Sequence, residues 1–161
     1  MSTDSSPART SLRVDLLLRD RSGRFLVARH VDRMGWHLPG GAVGEEESVA
    51  AAAVRCSEEL TGLSRQVSDA VLIDQVPASD GEGKPAQLIV VVHAGTVRPG
   101  EADTVPADVP HGWVLKWLLR HQLGDFTLTC QQRRIERALS AAERGMRVPL
   151  HLHGVPVAAH P

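Results

Sequence analysis

The chain has 161 residues, 42% apolar and 23% charged, which suits one soluble domain with enough apolar surface for a core. A formal net charge of −1 excludes a global field for an anionic membrane or a nucleic acid, so sequence-independent nucleic-acid binding is not expected. No apolar run is long enough to span a bilayer, and the two cysteines, Cys56 and Cys130, make neither a disulfide framework nor a metal knuckle, which suits a reduced, cytoplasmic setting.

Residues 1–11 are polar and read as a disordered arm without the apolar run of a signal peptide; residues 12–157 read as one domain. Val14–Leu18 is apolar and β-rich. Turn residues Asp20–Gly23 follow, and Phe25–Ala28 returns as the partner of a hairpin. A loop, Val31–Trp36, leads to Leu38-Pro39-Gly40-Gly41, where regular structure breaks. Ser48–Leu60 is alanine-rich and unbroken, with Glu45, Glu46 and Glu47 at its start and Gly62 as a stop, so a helix is expected there. Gln66–Gln75 and Gln87–Val97 read as strands, with Ser79–Lys84 as a turn or loop between them. Residues 98–112 read as a long surface loop. Trp113–Leu119 fits a strand or a short helix. Thr129–Arg144 fits a helix: Thr129 and Gln132 suit a capping box, Ile135, Leu139 and Ala142 recur at helical spacing, and Gly145 ends it. Val148–His153 reads as a last short strand. Strands with interspersed helices, and no regular βαβ alternation, predict an α/β fold with a mixed sheet.

One segment carries a specific pattern. Trp36-His37-Leu38-Pro39-Gly40-Gly41, then Glu47, Arg55 and Thr61-Gly62-Leu63, resembles the Nudix family, whose box runs G-x5-E-x7-R-E-U-x-E-E-x-G-U with U aliphatic. Without gaps, Gly41, Glu47, Arg55, Glu59, Gly62 and Leu63 fall on it. The resemblance implies a Nudix-like α/β/α sandwich with a mixed β-sheet between helices, the box helix on one side and the 129–144 helix on the other. It also implies water attack on a diphosphate, helped by Mg²⁺ or Mn²⁺, which shields the charge of a polyanionic substrate and activates water. A nucleotide or small organic diphosphate is the implied partner, and the family's frequent dimers leave a homodimer open.

The family holds its metal on the glutamate after the arginine and on two consecutive glutamates later in the box. Here those positions are Cys56, Glu59 and Leu60, and Ser57 stands where an aliphatic residue is usual. Cys56 and Leu60 lie four apart, so with Val49 and Ala53 they make an apolar stripe on a helix. Leucine cannot ligate Mg²⁺, and a thiolate is too soft for it. A register shifted by one makes Glu58 and Glu59 the consecutive pair, but it needs a deletion and an insertion, and alignment economy favours the gapless register. Losing two ligands should slow metal-assisted hydrolysis on the order of a thousand-fold or more.

The resemblance thus nominates Arg55 and Glu59 as catalytic, Glu59, Glu47 and Glu58 as metal ligands, and Gly40, Gly41 and Arg29 as substrate contacts. Each has a plainer reading. Gly40 and Gly41 suit a tight turn as well as a phosphate cradle, and Arg29 suits a solvated strand end. Arg55 suits a surface ion pair, and the run Glu45–Glu47 suits dipole compensation. Cys56 suits a buried, inert thiol better than a nucleophile. His151 and His153 would share a strand face, as edge residues or as a metal pair. Trp36, Trp113 and Trp117 suit core packing better than base stacking, and with no tyrosine and two phenylalanines, aromatic platforms are scarce. Two functions follow: a divergent Nudix hydrolase cleaving a phosphoanhydride with weakened activity, or an inactive Nudix-fold module that binds a ligand or a partner.

Overall fold

The computed structural model describes residues 9–157; the remainder of the expected N-terminal arm, residues 1–8, lies outside the described residues. The first strand, β1 (Ser11–Arg19), is buried on both faces, which is why it reads as an apolar run. Its even positions Val14, Leu16 and Leu18 enter one core cluster, and Leu17 enters another on the opposite face. The Asp20 carboxylate closes the following turn, accepting from the backbone N–H groups of Ser22 and Arg24 at 2.9 Å each. β2 (Phe25–His30) then leads to β3 (Gly40–Ala42) and the helix α1 (Val49–Thr61). Ser48 caps α1, its hydroxyl accepting from the Ala51 N–H at 3.1 Å, and Gly62 ends it at φ 73°, as the sequence leads one to expect.

β4 (Asp69–Val76) and β5 (Gln87–Thr96) follow. β4 starts three residues later than its sequence suggests, and the Ser68 carbonyl just before it accepts from the Leu150 N–H at 2.8 Å, in register with the pairing of Asp69 and Pro149. The segment 98–112 is not all loop: it holds a one-turn helix α2 (Glu101–Thr104) and a two-residue strand β6 (Asp108–Val109). The ambiguous tryptophan segment is a strand, β7 (Trp113–Leu118), because it pairs with β2 along its whole length, from Phe25 opposite Leu118 to His30 opposite Trp113.

A short α3 (Leu123–Phe126) precedes α4 (Thr129–Glu143). The expected capping box is absent: Leu128 is the N-cap, and the Gln132 amide donates instead to Glu136 at 3.2 Å. The last strand is also divided. β8 (Val148–Pro149) pairs with β4, while β9 (His151–Leu152) and β10 (Val155–Pro156) form a separate hairpin. Proline 149 has no N–H to continue a ladder. His153 sits in the hairpin turn at φ 52°, so it does not share a strand face with His151.

The main sheet runs β6-β7-β2-β1-β5-β4-β8, and β3 pairs with the N-terminal half of β1. β1 and β5 are parallel and the other pairs antiparallel, so the sheet is mixed. α1 packs through Ala52, Ala53 and Cys56 on the face of Val14, Leu16 and Leu18. α4 packs through Ile135, Ala138 and Leu139 on the face of Leu17, Phe25 and Val27. This is the expected sheet between helices. Among the described residues no helix is long and apolar enough to cross a membrane.

Candidate functional site

α1 buries Ala52, Ala53, Cys56, Ser57, Leu60 and Thr61 and leaves Glu58 and Glu59 exposed. Cys56 is 2% and Leu60 8% exposed, so the two positions where the family places carboxylates point into the core. Burial pushes the Cys56 thiol above its ordinary range, which suits an inert thiol. The Ser57 hydroxyl donates to the Leu63 carbonyl at 2.6 Å, which lets a polar residue occupy a buried site.

Arg55 organises what remains. Its Nε and Nη2 grip Glu47 Oε1 and Oε2 at 2.9 Å each, and Nη2 also reaches the Ala42 carbonyl at 2.9 Å. The Gly44 N–H donates to Glu47 Oε2 at 3.0 Å. Glu59 stands farther off, at 3.5 Å from Arg55 Nη1. Arg55 thus fastens the start of α1 to β3, with Glu47 as the clasp.

The Arg55 hydrogen bonds, then the Gly44 N–H, hold the Glu47 carboxyl at about 2 against an ordinary 4.5. A depressed folded value stabilises the fold above pH ~4.5 and loses that contribution as the pH falls toward ~2. Thermal melts between pH 5 and 2 should therefore fall less steeply for Arg55→Gln than for the parent chain. Parallel profiles would remove the clasp from the account.

The two glycines are set by packing. A Cβ on Gly40 would strike the Val14 carbonyl oxygen and come within 2.9 Å of the Asp15 Cα; one on Gly41 would lie 3.0 Å from Cys56 Sγ. Arg29 is on the α4 side of the sheet, its guanidinium 5.2 Å from the Trp36 ring centroid and its buried Nε without a partner. It therefore belongs with Phe25 and Val27, not with Arg55 and Glu59 on α1. Among the described residues no group of three or more His, Cys, Asp or Glu side chains could hold a metal ion. Glu47 has both oxygens engaged, Glu58 and Glu59 face outward, and the other two family positions offer a buried thiol and a methyl-ended chain. This donor set does not fit Mg²⁺ or Mn²⁺ held in the family's manner.

A polar cavity of about 180 Å³ lies on the α4 face of the sheet, next to Gly40 through Asp15, whose Oδ1 would be 2.7 Å from a Cβ on that glycine. Arg13 and Asp15 line it from β1, Gln87 from β5, His37 and Arg33 from the loop before β3, and Gln131 and Arg134 from α4. Asp15 is 2% exposed and accepts from Arg13 Nε at 2.7 Å; it is also the ladder partner of Gly40. Arg134, 7% exposed, gives Nε to Asp74 at 2.6 Å and Nη1 to Gln131 at 2.9 Å. Burial holds His37 below its ordinary value, so the ring is neutral near pH 7, and its Nδ1–H donates to the Leu38 carbonyl at 2.7 Å. Sequence reasoning missed this cavity. Its trace was Arg13 and Asp15 at alternate positions of an otherwise apolar strand, which puts two charges on one buried face.

A family model described as NUDIX domain matches residues 9–139. The chain belongs to the Nudix family. Among solved structures, a MutT protein from Methanosarcina mazei Go1 superposes with a TM-score of 0.67 at 20% identity, over 86% of this chain and 97% of that one. A NUDIX hydrolase from Nitrosomonas europaea gives 0.63 at 15%, over 88% and 94%. The E. coli dihydroneopterin triphosphate pyrophosphohydrolase gives 0.60 at 14%, over 78% and 92%. At such identities the likeness establishes the Nudix fold. Among curated proteins none matches the sequence.

Proposed function

We propose that this Nudix-fold chain binds a small phosphate-bearing anion and does not hydrolyse it through a metal held by the box. The observation that carries this reading is the orientation of α1: Cys56 and Leu60 are buried where metal carboxylates would have to face a substrate. The cavity bordering Gly40 supports the binding half. Arg13, Arg33 and Arg134 outnumber the one lining carboxylate, Asp15, and the Gln87 and Gln131 amides add neutral donors. The similar E. coli enzyme described above acts on dihydroneopterin triphosphate, a phosphate-bearing molecule, in keeping with that choice of ligand class.

The hydrolase reading has its own support. Glu58 and Glu59 are adjacent and exposed, and Glu59 stands beside Arg55, so a metal bound loosely outside the helix would have two carboxylates to meet. One experiment separates the two. Phosphate release from a panel of nucleoside diphosphate derivatives is measured with Mg²⁺ and with Mn²⁺, alongside calorimetric metal titration. The binding reading expects no metal-dependent release and no sub-millimolar metal uptake. Turnover that requires metal and disappears in Glu59→Gln would establish the hydrolase instead.

A further inference from the structure

The polar cavity beside Gly40 does not stand alone. Arg134 lines it and also lines a second cavity of about 290 Å³, with Leu72, Asp74, Arg133 and Arg137. Arg133 and Arg137 in turn line a third, of about 310 Å³, with Arg120 and Glu136. Neighbouring cavities along α4 thus share lining arginines: Arg134 between the first two, Arg133 and Arg137 between the second and third. Six arginines line the series (Arg13, Arg33, Arg134, Arg133, Arg137, Arg120) against three carboxylates, in a chain whose net charge is −1.

The arginines differ in how far they are already engaged. Arg134 is buried, with Nε and Nη1 committed to Asp74 and Gln131, and it lines both of the first two cavities. Arg120 is held by Ser140 Oγ at 2.6 Å and Glu143 Oε2 at 3.0 Å, which fixes its position at the far end. Arg133 and Arg137 are exposed, and among the described residues neither forms an ion pair. They are one helical turn apart, about 6 Å along the axis, so both can meet one chain of charges at once. No phenylalanine or tryptophan lines any of the three cavities. A single-stranded nucleic acid is held by aromatic platforms as well as by charge, so a track of guanidinium groups without them favours an anion that has no bases.

We propose that the ligand is an extended phosphate chain, seated by one end beside Gly40 and running outward over Arg134, Arg137 and Arg133 along α4. This rests on the anion-binding reading of the first cavity and adds a length requirement to it. Arginine suits such a ligand because each planar fork meets two phosphoryl oxygens. Successive contacts on one chain reinforce each other through effective concentration.

The test is calorimetric titration of the full chain in EDTA, with inorganic pyrophosphate and with linear polyphosphate. The polyphosphate is expected to bind at least about tenfold more tightly than pyrophosphate. The double variant Arg133→Ser/Arg137→Ser is expected to remove that gain and leave pyrophosphate binding unchanged. Arg33→Ser should weaken both ligands, and a control with the same charge change away from the track, Arg98→Ser/Arg144→Ser, should weaken neither. Equal affinity for the two ligands, with pyrophosphate still bound, overturns the track and leaves the first cavity's role standing. So does a gain that survives Arg133→Ser/Arg137→Ser, or a single-stranded oligonucleotide of equal charge binding as tightly as polyphosphate. If neither phosphate ligand binds, the track and the anion-binding reading fall together.

Discussion

Cys56→Glu, which returns a glutamate to its family position, is expected to destabilise the fold by about 3–5 kcal/mol near neutral pH, because the new carboxylate is buried without a partner cation. Cys56 is 2% exposed among Ala52, Ala53 and Val14, and its sulfur lies 3.0 Å from where a Gly41 Cβ would stand, so a longer side chain also has little room. The sign of the pH dependence is fixed. A buried carboxyl has a folded pKa above its unfolded value, so the penalty is full at high pH and fades as the pH falls and the group is protonated. Urea unfolding at pH 8 and pH 5 reads both parts, with the variant closer to the parent chain at pH 5. A variant as stable as the parent at pH 8 that also takes up Mg²⁺ would mean that α1 rolls outward easily, and the apolar face would cease to count against metal chemistry.

Gly40→Ala should be nearly as damaging, by about 3 kcal/mol or more, since its methyl group meets backbone rather than a movable side-chain end. The obstructing atoms are the Val14 carbonyl oxygen and the Asp15 Cα, both in the central strand β1. The measurement is the urea midpoint at unchanged m-value. It bears on the site as well as on the fold, because a Cβ at Gly40 would also lie 2.7 Å from Asp15 Oδ1 at the rim of the polar cavity. A well-folded Gly40→Ala protein would show that β3 does not need its close approach to β1, and would return Gly40 to the role of a phosphate cradle.

The fold was legible where local and global signals agreed. Ser48 and Gly62 bracket α1 with the cap and stop chemistry their residue types suggest, and the alanine run between them lets the helix lie close on the sheet. Trp113–Leu118 was not legible, because a short, mostly apolar run of six residues fits either structure; only its pairing with β2 decides for a strand. The Thr129 cap failed because the chain already turns at Leu128, whose carbonyl takes the Gln132 N–H at 2.8 Å. At the site, the box pattern foresaw the apolar face of Cys56 and Leu60, whereas the grip of Arg55 on Glu47 emerges only from the structure. It could not show that Arg29 belongs to the opposite face, nor that Arg13 and Arg134, 121 positions apart in sequence, line one cavity. A sum of charges near zero likewise says nothing of six arginines lining three cavities, three of them on α4.

Both rims of the main sheet end in a two-residue strand next to or containing a proline: β6 runs into Pro110, and β8 is Val148 and Pro149. Each of these short strands covers only one end of the strand it flanks: β8 meets Asp69 and Ala70 of β4, and β6 meets Trp113 and Val114 of β7. Among the described residues no further strand pairs with the outer side of Leu72–Val76, so that stretch keeps main-chain groups for an incoming strand to meet. Recognition through the backbone is thereby limited to a few residues on each rim, with a proline close to the end of each covering strand.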